Sequence, residues 1–155
     1  MIDVVNGSTR SRMMAGIKGK NTKPELLVRR YLHLRGYRFR LHRNDLPGKP
    51  DLVLPKYKLV IFVHGCFWHM HSDCFYSKLP ATRVEFWKDK LVGNVARDQL
   101  HVSRLNLMGW RVIVVWECGL KCIQEQFHEV VEMIESNVDF MTWPTTPPRQ
   151  KNGLT

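Results

Sequence analysis

The sequence predicts an α/β domain with a mixed central sheet flanked by helices. Three observations support this: short, strongly apolar runs at Leu59 to Val63 and Val112 to Trp116 that read as buried strands, helical periodicity in the longer segments, and the order in which the two alternate. That order is helix, helix, strand, strand, strand, helix, strand, helix. The 155 residues suit one domain, expected over residues 1–142, with residues 143–155 as an irregular tail containing Pro144, Pro147 and Pro148.

Each element has a local reason. Ser8 or Thr9 can cap a short helix through about Lys18, and Thr22-Lys23-Pro24-Glu25 forms a capping box opening a second. Leu27, Tyr31 and Leu34 share a face of that second helix, and Gly36 ends it, so a basic helical region is expected over about residues 8–36. Alternation from Tyr37 to His42 suggests a half-buried strand, followed by buried strands at Asp51 to Leu54, Leu59 to Val63 and Arg111 to Trp116. Glu85 to Met108 reads as a long helix stopped by Gly109, and Ile123 to Ser136 as an acidic closing helix.

Composition excludes several classes of protein. With 44% apolar, 10% aromatic and 25% charged residues, the chain is neither wholly disordered nor collagen-like. No apolar run approaches the roughly 20 residues that a membrane span requires. The amino-terminal segment resembles neither a secretory signal nor a lipidation site, so a cytoplasmic location is expected. The formal net charge of +10 is concentrated at one end: residues 1–50 carry +9, residues 51–100 carry +2 and the rest −1. Such a surface attracts polyanions, and nucleic acid is the commonest of these in a cytoplasm.

Two constellations carry chemistry. In Cys66-Phe67-Trp68-His69-Met70-His71-Ser72-Asp73-Cys74, two cysteines and two histidines follow a buried strand within nine residues. Cys66, Cys74, one imidazole and a distant cysteine would complete the N/S shell of a structural zinc. Cys118 is favoured over Cys122 because it directly follows a strand expected beside the one ending at His64. The second constellation is Lys49-Pro50-Asp51 at a strand start, with Val63-His64-Gly65 twelve residues beyond Asp51 on its hairpin partner. A carboxylate there can hold Mg²⁺ against a scissile phosphate, since Mg²⁺ needs only one or two protein oxygens. Val63 can add only its backbone carbonyl, and His69 or His64 is left to act as the base. Glu25 has a competing role in the capping box, and Asp98 can either orient an imidazole or face solvent.

The runs PGKPDLVLPKYKLVIFVHGCFWHMHSDC, PATRVEFWKDKLVGNVARD and MGWRVIVVWEC closely resemble the very-short-patch repair (Vsr) endonucleases. These are T:G mismatch nickases with a restriction-endonuclease-like PD-(D/E)xK fold, and the likeness extends from Thr9 to Cys118. The resemblance implies nicking 5′ to the mispaired thymine left when 5-methylcytosine deaminates. It makes Asp51 the Mg²⁺ carboxylate, with the Val63 carbonyl beside it, and His69 the general base. His64 would lie near the phosphate, with Glu25 and Asp98 in support. The family's structural Zn²⁺ maps onto Cys66, His71, Cys74 and Cys118. Its aromatic wedge maps onto Phe67, Trp68 and Trp87, with Met14 and Ile17 entering from the other groove and Lys90 and Asn94 close to the mismatched pair. Arg10, Arg12, Lys18 and Lys20 then suit phosphate contacts.

The implied partners are duplex DNA carrying a T:G mismatch, mismatch-repair proteins and a companion DNA cytosine methyltransferase. A monomer at the nucleoid is expected, with no membrane association. Valine at position 63, where the family often has threonine, loses any hydroxyl role. Two residues, Ser72 and Asp73, stand between His71 and Cys74 where one is expected, so the zinc loop should bulge. The rival readings are a restriction-type endonuclease cutting an intact site and a non-catalytic zinc module that binds damaged DNA.

Overall fold

The computed structural model describes residues 21–151. The helix expected from Ser8 or Thr9 to Lys18, and with it Met14, Ile17 and the basic residues Arg10, Arg12, Lys18 and Lys20, lies outside the described residues.

Helix α1 (Lys23–Leu34) starts where the capping box places it: the Thr22 hydroxyl oxygen accepts from the Glu25 N–H at 3.4 Å, and Pro24 sits in the first turn, where its missing N–H costs nothing. Gly36, at φ +86°, follows the helix end. The buried face differs from the expected one. Val28 and Leu32 are fully buried, Leu27 and Tyr31 flank them, and Leu34 is 76% exposed because it lies past the last turn that meets the sheet.

Five strands form one sheet in sequential order, β1 (Arg40–Leu41), β2 (Leu52–Leu54), β3 (Leu59–His64), β4 (Arg111–Trp116) and β5 (Phe140–Trp143). The first three pair antiparallel, whereas β3, β4 and β5 run parallel. The strand expected from Tyr37 to His42 is reduced to two exposed residues, a short, arginine-bearing edge that discourages further pairing. A turn of 3₁₀ helix at Pro55–Tyr57, with Lys58 left-handed at φ +50°, closes the β2–β3 hairpin.

Side-chain alternation divides the core between the two faces of the sheet. Leu59, Ile61, Ile113 and Val115 pack with Val28 and Leu32 of α1 and with Val130 and Ile134 of α4 (His128–Ile134). On the other face Val60, Phe62, Val112 and Val114 meet Leu105 of α2 (Val84–Leu107), together with Leu46 and Trp110. Helix α2 carries the crossover from β3 to β4, which parallel pairing requires.

The carboxyl-terminal part departs from expectation. Ile123 to Ser136 is not one helix: α3 (Glu117–Cys122), a 3₁₀ turn at Gln124–Gln126 and α4 succeed one another. The break falls at Ile123, whose φ of −136° is far from helical. Trp143, expected to head an irregular tail, ends β5 and is 1% exposed. It lies so close to Gly119 that a Cβ there would stand 2.6 Å from its ring, so only glycine fits. Beyond it the chain returns to the Cys66–Cys74 loop, where Phe75 N–H donates to Arg149 O at 2.9 Å and Lys151 N–H to Asp73 O at 3.0 Å. No helix among the described residues is long and apolar enough to cross a membrane.

Candidate functional site

Strands β3 and β4 end in register, His64 opposite Trp116, so the segments that follow them leave the sheet at the same edge. Cys66 is two residues beyond the first strand end and Cys118 two beyond the second. The loop after β3 bends back through His71 N–H to Cys66 O at 3.0 Å, and Ser77 Oγ donates to the carbonyls of His71 at 2.6 Å and Cys74 at 2.9 Å. The extra residue between His71 and Cys74 is absorbed by Asp73, which turns left-handed at φ +57°. Cys66, His71, Cys74 and Cys118 thereby meet, all buried, with one ligand atom from each within 4.8 Å of the others. Donors around a tetrahedral zinc lie roughly 3.3–3.8 Å apart, so this soft N/S set fits such an ion with a small contraction. Hydrogen bonds, that with Cys118 foremost, hold the Cys66 thiol down to about 4, whereas burial pushes the Cys74 thiol up. Cys122 is exposed beside Tyr76 and takes no part.

A cleft of about 680 Å³ opens along the same edge, bordered by Glu25, Asp51, Val63, His64, His69 and Asp98, with Trp68 at its rim. Asp51 lies just before β2, where the antiparallel register sets its carboxylate against β3, and it accepts the Val63 N–H at 2.7 Å. Burial pushes its carboxyl up to about 7, and the neighbouring Glu25 adds to the rise. Glu25 both caps the helix start and faces the cleft. Its Oε2 accepts from Asn21 N–H at 3.0 Å at the helix start, while the same oxygen lies 3.0 Å from Arg29 Nη2 and 3.0 Å from His42 Nε2.

His64 and His69 stack face to face, with ring centroids 3.7 Å apart and planes within 3°. Their environments differ sharply. Burial lowers His64 to about 3, so its ring is neutral at physiological pH, and its Nδ1 is buried without a hydrogen-bond partner among the described residues. His69 is more open and its Nδ1 contacts Asp98 Oδ2 at 2.6 Å, an arrangement that fixes the ring and leaves Nε2 for another proton. Trp116 separates the two centres: it stacks on His71 at 4.0 Å and meets His64 edge-on at 5.3 Å.

The remaining candidates line one stripe. Trp87, Lys90, Asn94 and Asp98 are spaced by three, four and four along α2, so they share a face. Trp87 forms a ring cluster with Phe67 and Trp68, at 5.5 and 5.9 Å, and the Lys90 ammonium lies 5.9 Å from both indoles. Asn94 donates to Trp68 O at 3.0 Å and accepts from Arg97. These aromatics are half-buried and belong to neither hydrophobic face of the sheet, which argues against a packing role.

Three residues at or beside the cleft carried no sequence signal of a role there. His42 completes a triad with Glu25 and Asp51. His101, four-fifths of a turn from Asp98 on α2, and Glu117, whose carboxyl burial raises, both border the cavity. All three reach the site through tertiary structure.

Residues 2–75 match the family model described as DNA mismatch endonuclease Vsr. Among similar proteins, a type II nicking enzyme of Xanthomonas oryzae pv. oryzae, V.XorIIP, is 51% identical over 120 residues, covering 77% of this chain and 88% of the relative. DNA mismatch endonuclease Vsr of Escherichia coli is 47% identical over 121 residues, 78% of this chain and 77% of the relative. The type II nicking enzyme V.NmeAIP of Neisseria meningitidis is 43% identical over 141 residues, 89% of this chain and all of the relative.

Proposed function

Because the chain belongs to the DNA mismatch endonuclease Vsr family, we propose that it nicks one strand of duplex DNA 5′ to the thymine of a T:G mismatch. The observation that carries the reading is that Asp51 and the His69–Asp98 pair border one cleft. A carboxylate for a divalent cation and an imidazole for the attacking water are the two groups that phosphodiester hydrolysis needs.

The donor set at Asp51 fits a hard cation: a largely buried carboxylate whose charge is opposed by burial, a second carboxylate at Glu25, and the Val63 backbone beside them. In a pleated strand the N–H and C=O of one residue point the same way, so the Val63 carbonyl is directed to the side on which Asp51 accepts its N–H. Bound there, Mg²⁺ would supply charge stabilisation for the phosphate in the transition state. His69 Nε2 takes the proton of the water that attacks phosphorus, and Asp98 stabilises the imidazolium that forms. His64, neutral and stacked beneath, holds the base ring in plane without competing for its proton. As the new P–O bond forms, the bond to the 3′ oxygen breaks and that oxygen is protonated from solvent, leaving a 5′-phosphate and a 3′-hydroxyl.

Cys66, His71, Cys74 and Cys118 would hold a structural zinc that fixes the loop bearing both His69 and the aromatics. A wobble pair costs less to unstack than a Watson–Crick pair, so Phe67, Trp68 and Trp87 would find a mismatch the cheapest place to insert. Lys90 and Asn94 stand beside that cluster to meet the mispaired bases, and Met14 and Ile17 would approach from the opposite groove. The proposed setting is the cytoplasm, with a monomer at the nucleoid acting alongside mismatch-repair proteins and a cytosine methyltransferase.

Duplexes carrying T:G, T:A or C:G at one position, each strand end-labelled, test the reading with Mg²⁺ or EDTA present. Cutting confined to the thymine strand of T:G, and abolished by EDTA, is expected. Double-strand cutting of T:A, or binding without cleavage in Mg²⁺, contradicts it.

A further inference from the structure

The imidazole of His42 is placed as though it were a third ligand of the cation site. Strand β1 ends at Leu41, and His42 then turns left-handed at φ +47°, an uncommon conformation for a non-glycine residue. Its backbone N–H remains tied to Asp51 O at 3.4 Å, which anchors the turn to the start of β2. The ring lands with Nε2 3.0 Å from Glu25 Oε2 and 4.0 Å from Asp51 Oδ1. The three ligand atoms lie within 4.8 Å of one another, and Glu25 and Asp51 open into the 680 Å³ cleft, whose wall also holds His64, its buried Nδ1 without a hydrogen bond among the described residues.

We propose that Glu25, His42 and Asp51 form a carboxylate–imidazole–carboxylate site that favours first-row transition cations, Mn²⁺ in particular, over Mg²⁺. The inference rests on the assignment of Asp51 to the cation. Two carboxylates alone suit hard Mg²⁺, whereas an imidazole donor raises affinity along the transition series and does little for magnesium. The contact between His42 Nε2 and Glu25 Oε2 is bridged by one proton, and a cation drawn between them takes its place, with the proton leaving to solvent. Arg29 Nη2, 3.0 Å from the same Glu25 oxygen, 3.4 Å from His42 Nε2 and 2.8 Å from Asn21 Oδ1, is the cation that a bound metal would displace.

The test uses the full-length, zinc-loaded chain with MnCl₂ and MgCl₂. Pulsed electron paramagnetic resonance of bound Mn²⁺ should show coupling to an imidazole ¹⁴N, and competition should show Mn²⁺ binding roughly tenfold or more tightly than Mg²⁺. In His42→Gln, with unchanged circular dichroism, Mn²⁺ should still bind but lose the ¹⁴N coupling and most of the preference; His42→Asn serves if the glutamine variant is unstable. Coupling and preference that persist in both variants, or that vanish only in His69→Ala, overturn the assignment of His42. Asp51→Asn separates the two claims. Undiminished Mn²⁺ binding in that variant removes the Asp51 assignment itself, while lost binding there combined with indifference at His42 removes only the present inference.

Discussion

In the proposed reaction Asp51 and His69 take different parts because their surroundings differ. Asp51 is largely enclosed beside Glu25, so its ionisation is opposed; His69 is held open to the cleft by Asp98. Its raised carboxyl predicts a dependence of stability on pH. The folded-state value of about 7 lies above that of an unfolded aspartate, so the folded chain binds the extra proton between them. Without added divalent cations, the wild type therefore loses stability as pH rises from about 4 to about 7 and stays level above that. Asp51→Asn removes this loss, and its melting temperature should gain several degrees on the wild type between about pH 4 and about pH 8. Thermal melts across that range check it; a constant difference between the two proteins contradicts it.

At the level of elements, the parallel β3–β4 pair does most of the positioning, because it delivers Cys66 and Cys118 from one sheet edge. If those cysteines hold zinc, Cys118→Ser should drop the metal content from about one ion per chain to near zero and unfold the loop, whereas Cys122→Ser should change neither. Metal analysis with circular dichroism decides, and retained zinc in the Cys118 variant contradicts the assignment. The loop between Cys66 and Cys74 and the face of α2 present the aromatic cluster. Trp68→Ala should weaken T:G duplex binding by about 1–3 kcal/mol with little effect on melting temperature, since Trp68 lies outside the cores of the sheet. Equal loss of binding and stability would mark it instead as a packing residue. Much at this level was legible in the sequence: the Thr22–Glu25 box, the buried runs of β2 to β4 and the long helix each announce themselves through local pattern. The strand β5 does not. Its four residues show no clear alternation and precede prolines, and they become a strand only because β4 offers an unpaired edge.

For the whole molecule, the sheet topology brings together Glu25, Asp51, His64, His69 and Asp98, which span three-quarters of a hundred positions in sequence. Family likeness named these residues, but the pairing of His69 with Asp98 and the stacking of His64 on His69 are tertiary facts that no spacing encodes. His42 was least legible of all, because its role depends on one left-handed turn at the end of an edge strand. Its sequence neighbourhood reads only as alternating strand. The charge pattern, by contrast, was plain, and a net +10 suits a ligand as anionic as duplex DNA. The central claim is that Asp51 and His69 act on one phosphate held in the cleft, and single-turnover nicking of a prebound T:G duplex tests it most directly. His69→Ala and Asp51→Asn should each slow strand cleavage by on the order of 10³-fold while the dissociation constant of the duplex changes by less than about threefold. Cleavage at near wild-type rate by either variant, with the duplex equally bound, would contradict the account.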